Sequence, residues 1–555
     1  MSAGRARRYP PGGGRLPIVC GVATDSSRRW VALGLFLLLA GIYGLTAGGH
    51  TYSSDEEGMY QTTRSLLERR SPVLAITEDN VHVTPSTAGR DGRPVGVSGL
   101  GISVAGIPLY LVGSVVSHTV ARSYADYTER VFIGWTNSFV TAAGVVLLFL
   151  LAELLGARRR WAVALALTYG LATMVWPHAK TFFSEPLTTT LALAGAYFAV
   201  RAVADSSLRL AAASGVFAGL AVSARSTAGL FLPVIGLYLL FAFPRRWANW
   251  FGRWLRVGLA YTAGAAGPLA LFFWSNWWRY GAPTNMGPKS IPLNYPLQDG
   301  LYGFFLSPGK SLFLYAPVVL VGLLAVPFAP RRHRPAVALM VALGAVNVAL
   351  FARFFQWHGD HAWGPRYLIM TIPFFVLPLA PLLDRVRWQR ALAASAVLGL
   401  FSAGLGVVMY FNQYFYIVEH TYGSHDTPAG PSYWLPMHYT WYWSPIPGTI
   451  RALPDVVRHS ARRLDGYEKG MYEFPDGTQA RYGWYFLPPQ LDSWAYWVFP
   501  AHGPKKLLLM GPVFAGMAVG GGVLLRRSLR AGRADEPSTA AADGPPLTVT
   551  ATAAV

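Results

Sequence analysis

Apolar runs long enough to cross a membrane recur near residues 30–49, 131–155, 161–177, 186–203, 208–224, 226–243, 257–276, 312–329, 335–352, 367–383, 391–411 and 507–525. A helix needs about 20 apolar residues to span the hydrocarbon core, so these runs predict about twelve transmembrane helices, with 161–177 and 208–224 near the lower limit. The expected fold is an all-α polytopic membrane protein, because helices satisfy their own backbone polar groups inside a bilayer.

The polar residues between the runs assign the sides. Arg158 to Arg160, Arg201 with Arg209, Arg245 with Arg246, Arg253 with Arg256, Arg331 with Arg332 and Arg334, Arg385 with Arg387 and Arg390, and Arg526 with Arg527 read as cytoplasmic clusters. Arg28 and Arg29, before the first run, place the amino terminus on that side too. This parity holds only if the Gly-rich run 99–117, which contains Pro108, does not cross and instead forms surface helix within a long first external loop, 50–130.

The chain is thus expected to comprise a cytoplasmic tail (1–29), a transmembrane catalytic region (30–411), an extracytoplasmic region (412–506), a last crossing (507–525) and a second cytoplasmic tail (526–555). The first 25 residues, rich in Arg, Gly and Pro, and the Ala, Thr and Pro-rich end after Arg533 read as disordered. The 412–506 stretch is dense in Trp and Tyr, too polar to cross, and expected to be a small mixed domain. Pro475-Asp476-Gly477 between aromatic runs is a hairpin signal there.

Composition narrows the class. Of 555 residues, 53% are hydrophobic, 14% aromatic and only 13% charged, which excludes an ordinary soluble enzyme. The net charge of +20 could suggest nucleic acid, but the arginines gather at the ends of apolar runs, so membrane topology accounts for them and no nucleic-acid partner is expected. The single cysteine, Cys20, rules out an intramolecular disulfide and a thiolate metal cluster. The preceding Leu16-Pro17-Ile18-Val19 does not form a lipoprotein signal.

The polar stretch with most chemistry follows the first run: SSDEEGMYQTTRSLLERR, from Ser53 to Arg70. One reading is a helix start, with Ser53 and Glu56, or Ser54 and Glu57, forming a capping box and the acids offsetting the helix dipole. The other makes Asp55 a general base at the membrane surface, with Glu56 beside it. Glu185, before Pro186 in another external turn, either pairs with Lys180 and caps a helix or supplies a second acid facing Asp55.

Three outward cations, Arg225, Lys310 and Arg366, run against the charge bias. They fit either interface anchors or an anion site, where an Arg grips phosphate in a bidentate manner and a Lys supplies a compact charge. His358, Asp360 and His361, in HGDH, are candidate ligands for a divalent metal, as is Asp55, although the spacing matches no zinc signature. Trp277 and Trp278 read as an interfacial aromatic belt.

SSDEEGMY after the first crossing, FFSEP in the next external turn, SPGKSLFLYAP and WGPRYLIMTIPFFVLPLA, in this order and on one side, resemble the GT-C superfamily of integral-membrane glycosyltransferases. The likeness is to the protein O-mannosyltransferase-like and aminoarabinose-transferase-like families and spans about residues 30–411. It implies surface helices in the first loop, an acceptor-side carboxylate there, and a sugar donor on a polyprenyl phosphate with basic residues around the phosphate. In these terms Asp55, Glu56 and Glu185 are the catalytic candidates, Lys310, Arg366 and Arg225 bind the donor phosphate, and Tyr60, His358 and Tyr367 contact substrate. The acceptor is a lipid, glycan or protein. The expected location is a bacterial plasma membrane with the site facing outward. A transporter or flippase, a scaffold and a whole-glycan ligase remain alternative readings. Scarce intramembrane acids and polar motifs crowded on one surface count against transport.

Overall fold

A computed structural model describes residues 26–76, 84–243, 250–287, 293–359, 361–422, 426–427, 430–431, 433–462, 471–473, 479–481, 491–495 and 504–534. Most of both tails, Arg245 with Arg246, Asp360 and the Pro475–Gly477 turn lie outside these residues.

The chain is an all-α polytopic membrane protein. Among the described residues, seven helices are long and apolar enough to cross a membrane: Ser26–Thr46, Arg122–Leu154, Ser184–Asp205, Trp250–Tyr280, Arg331–Ala352, Val386–Val408 and Lys505–Ala531. Helix α1 (Ser26–Thr46) lies along Met510–Ala534. Small residues permit this approach: a Cβ added at Gly41 would meet Ala518 N at 2.5 Å and one at Gly34 would meet Leu525 N at 2.9 Å.

Several expected crossings are shorter or broken, for local reasons. The 367–383 run is a chain of short turns, Arg366–Met370, Ile372–Val376 and Leu377–Leu382, because Pro373, Pro378 and Pro381 remove backbone donors. Its residues are almost all buried in protein, where irregular backbone is tolerated at membrane depth. The 312–329 run breaks at Pro317 into Leu312–Tyr315 and Val318–Ala325. The 161–177 run ends early, as Arg159–Leu171, before a turn.

The first loop begins with α2 (Ser54–Glu68). Ser53 Oγ accepts from Glu56 N at 3.4 Å, the first half of the expected capping box, while Glu56 Oε2 reaches one residue further back and accepts from Tyr52 N at 3.1 Å. A short antiparallel pair follows, β1 (Ser86–Ala88) with β2 (Pro94–Gly96). The 99–117 run is two pieces, α3 (Leu100–Ala105) and α4 (Ile107–Ser117), of 6 and 11 residues. At about 1.5 Å per residue neither is long enough to span a bilayer. Ile102 and Tyr110 pack on Met59 and Tyr60 of α2, while Val104, Leu111 and Val115 stay exposed.

At one end of the bundle the arginine clusters gather. Arg28 and Arg159 reach Glu153 at 2.8 and 3.0 Å, and Arg158 reaches Asp384 at 3.0 Å. The opposite end carries the first loop and the described parts of 412–506. These include Trp434–Tyr439, Pro445–Arg462 and an antiparallel strand pair, Met471–Glu473 with Gln479–Arg481. Segment 491–495 returns to the bundle: Trp494 N donates to Ala47 O at 2.9 Å, Trp494 Nε1 to Gly44 O at 2.8 Å, and Asp492 N to Val408 O at 2.9 Å.

Candidate active site

Four segments far apart in sequence bring two carboxylates and two guanidiniums together. Asp55 lies in the first turn of α2. Glu185 lies in the first turn of the helix Ser184–Asp205, with Pro186 just inside its start. Arg225 ends the helix Leu208–Ala224 in extended backbone, and Arg366 follows the HGDHAWGP loop. Arg366 Nη2 stands 3.3 Å from Asp55 Oδ2, Arg366 Nε 3.4 Å from Glu185 Oε1, and Arg225 Nη1 2.9 Å from the same Glu185 oxygen. Tyr367 joins them: the Arg225 and Arg366 guanidinium carbons lie 4.9 and 5.2 Å from its ring centre, and Phe183 stacks on Arg366 at 4.2 Å.

Backbone shape and a buried cation place Arg366. Gly359 and Gly364 both have φ of 75°, a left-handed conformation that lets the loop double back. A Cβ at Gly359 would come within 2.9 Å of Arg366 Cβ. Lys310 is wholly buried, and its Nζ donates to Ala362 O at 2.8 Å and Gly364 O at 3.1 Å. Its charge therefore lies beneath the loop that presents Arg366. Burial works against the Arg366 cation, but Glu185, Tyr367 and Asp55 more than offset it, holding the guanidinium above its ordinary range.

The two carboxylates differ in access. The Asp55 side chain is 24% exposed and that of Glu185 only 1%. Asp55 can meet an incoming hydroxyl, whereas Glu185 is enclosed between two arginines. Arg225 keeps 21% of its side chain exposed, so one guanidinium is also open to an arriving anion.

The other residues of the first-loop motif point elsewhere. Glu56 is fully buried, and burial pushes its carboxyl up to about 8, against the pull of hydrogen bonds from the Phe182 and Tyr52 backbone. It is a protonated acid at neutral pH, seated in the helix cap. Glu57 is bound by Arg130 and accepts from Gln61 Nε2 at 2.9 Å. The Tyr60 hydroxyl lies 2.9 Å from Asp126 Oδ1 and 3.1 Å from Glu129 Oε2, in the network joining α2 to the surface helices.

His358 is buried against Trp434 and His438, with ring centres at 4.0 and 4.5 Å. His361 Nε2 lies 3.0 Å from the Tyr433 hydroxyl. Among the described residues no group of three or more His, Cys, Asp or Glu is placed to hold a metal ion, and Asp360 is outside them.

Lys180 does not pair with Glu185. It is buried at 2.6 Å from Asp492 Oδ2, a residue of the 412–506 region that the sequence did not single out. The Tyr52 hydroxyl donates to Asp492 Oδ2 at 2.6 Å and His50 Nε2 lies 2.8 Å from Oδ1. Burial alone would raise the Asp492 carboxyl, but Lys180 and His50 pull it far below the usual carboxylate range. Asn412 Nδ2 donates to Tyr52 O. The turn leading into Asp55 is thus fastened from the far end of the chain, by contacts with no local sequence signal.

No family model and no curated protein sequence matches this chain. Among solved structures it is similar to ArnT from Cupriavidus metallidurans bound to undecaprenyl phosphate, at 15% identity over 80% of this chain and 81% of that one, with a TM-score of 0.38. It is also similar to the Archaeoglobus fulgidus oligosaccharyltransferase in the apo form, at 12% identity over 82% of this chain and 61% of that one, with a TM-score of 0.39. At these scores the chemistry rests on this chain's own residues.

Proposed function

We propose that the chain is a membrane glycosyltransferase that moves a sugar from a polyprenyl-phosphate donor to an acceptor hydroxyl on the extracytoplasmic face. The observation that carries this reading is the pairing of an accessible carboxylate, Asp55, with two arginines that share a buried carboxylate, Glu185. Asp55 takes the proton of the acceptor hydroxyl as its oxygen attacks the anomeric carbon. The bond from that carbon to the phosphate oxygen breaks, and the electron pair leaves with the polyprenyl phosphate. Arg366 and Arg225 stabilise the charge that develops there.

The ion pairs of the site suit this sequence. A cation about 4 Å from an anion is worth about 4 kcal/mol at an effective dielectric near 20, so arrival of a phosphate draws Arg366 from Asp55. Asp55 then loses its stabilising neighbour and becomes the stronger base. Glu185 keeps both guanidiniums aimed throughout. Lys310, through the carbonyls of Ala362 and Gly364, holds the loop in place.

Titration of the purified chain in phospholipid nanodiscs with a polyprenyl phosphate tests the anion site. Arg366→Ala and Arg225→Ala should each weaken binding at least tenfold, measured on folded variants whose unfolding midpoints are recorded alongside, because each change takes one cation from the buried Glu185. Unchanged affinity in both variants would leave these arginines as structural ion pairs and overturn the donor assignment.

A further inference from the structure

Beside the Arg366 loop lies a cavity of about 320 Å³ that the proposed transfer step does not use. Three segments enclose it: residues 294–296, residues 355–358 after the helix Arg334–Ala352, and the helix Trp434–Tyr439 of the extracytoplasmic region. They are tied together through the backbone. Tyr295 N donates to Arg353 O at 3.0 Å, and Gly309 N, one residue before Lys310, donates to His438 O at 3.0 Å.

The lining is aromatic and uncharged. Tyr295, Phe355, Trp357, Trp434 and Tyr439 supply rings, and among the described residues no Asp, Glu, Lys or Arg borders the cavity. His358 and His438 border it too, and burial first, then neighbouring cations and imidazoles, holds both rings neutral. Asn294, beside Tyr295, adds a neutral amide to the lining.

Aromatic walls, a few neutral polar groups and a volume of this size are the marks of a small-molecule site. A pyranose ring has the matching surface: a C–H face that lies on aromatic rings and a rim of hydroxyls that meets neutral polar side chains. With no charged side chain among the described lining residues, a phosphate or an acidic sugar would be desolvated there without a partner. The cavity is next to the transfer site, since His358 precedes Gly359, which abuts Arg366. One wall comes from the helix Trp434–Tyr439, outside the candidate membrane-spanning helices.

We propose that this cavity binds a neutral pyranose unit of a glycan acceptor, an inference that rests on the transferase reading for its role but not for the binding itself. The test is saturation-transfer NMR on the full chain in phospholipid nanodiscs free of sugar-headed detergent. The probes are the methyl glycosides of glucose, mannose and galactose. At least one should receive saturation. His438→Gln and Tyr439→Leu should each cut that signal at least fivefold while the unfolding midpoint and polyprenyl-phosphate binding stay at wild-type levels. No signal from any probe, or a signal unchanged in both variants, would overturn the proposal. Pyranoside binding in a wild-type chain that fails to bind polyprenyl phosphate would instead overturn the transferase reading and leave the sugar site standing.

Discussion

Asp55 and Arg366, 311 residues apart in sequence, meet at 3.3 Å between Asp55 Oδ2 and Arg366 Nη2. Each also contacts something the other does not: Asp55 reaches solvent, and Arg366 reaches Glu185. This pairing sets a buried guanidinium beside a carboxylate that solvent can reach.

Arg366→Lys should fail to rescue what Arg366→Ala loses. The guanidinium reaches Asp55 through Nη2 and Glu185 through Nε, two directions that one ammonium cannot serve together. Polyprenyl-phosphate affinity measured for the two variants side by side checks this, and near-wild-type affinity in Arg366→Lys would mean that only net charge matters.

Asp492→Asn should destabilise the fold by about 3–5 kcal/mol, because it leaves the buried Lys180 without its anion. The paired change Lys180→Met with Asp492→Leu should recover much of that loss, since an apolar pair has no stranded charge. Thermal unfolding of the purified variants reports both. If the double change is as unstable as the single one, the contacts to His50 and Tyr52 outweigh the ion pair.

Glu56 predicts a pH trend. Its carboxyl lies near 4.5 when solvated and at about 8 in the fold, so the folded chain holds a proton that the unfolded chain has released between these values. Its stabilising contribution is complete below pH 4.5, falls as pH rises through the window and is lost above about 8. The change is on the order of a few kcal/mol. Glu56→Gln should flatten this part of the stability profile, and a wild-type slope in that variant would place the titration elsewhere.

Much of the fold was legible because its signals are periodic and local. Apolar runs of bilayer length found the long helices, and Arg clusters sorted the ends, as the meeting of Arg28, Arg159 and Glu153 shows. Ser53 and Glu56 announced their cap three residues apart. Proline-rich runs were less legible: hydropathy does not register that Pro373, Pro378 and Pro381 interrupt the 367–383 helix. Within the site, Arg225 and Arg366 stood out as cations against the local bias and Asp55 and Glu185 as acids in external turns, but the roles of Glu56, Glu57 and Tyr60 depend on which face of α2 each occupies. Asp492 and His438 were beyond reach, since their partners lie hundreds of residues away or are not charged.

The central claim is that Asp55 takes the acceptor proton, and Asp55→Asn tests it most directly. The amide keeps the shape of the carboxylate and cannot take up the proton. Proteoliposomes carrying wild type or variant are supplied with a polyprenyl-phosphate-sugar extract, and released polyprenyl phosphate is measured together with the unfolding midpoint. The account predicts a loss of at least a hundredfold in turnover with polyprenyl-phosphate binding retained and the fold intact. Turnover within about threefold of wild type would contradict it.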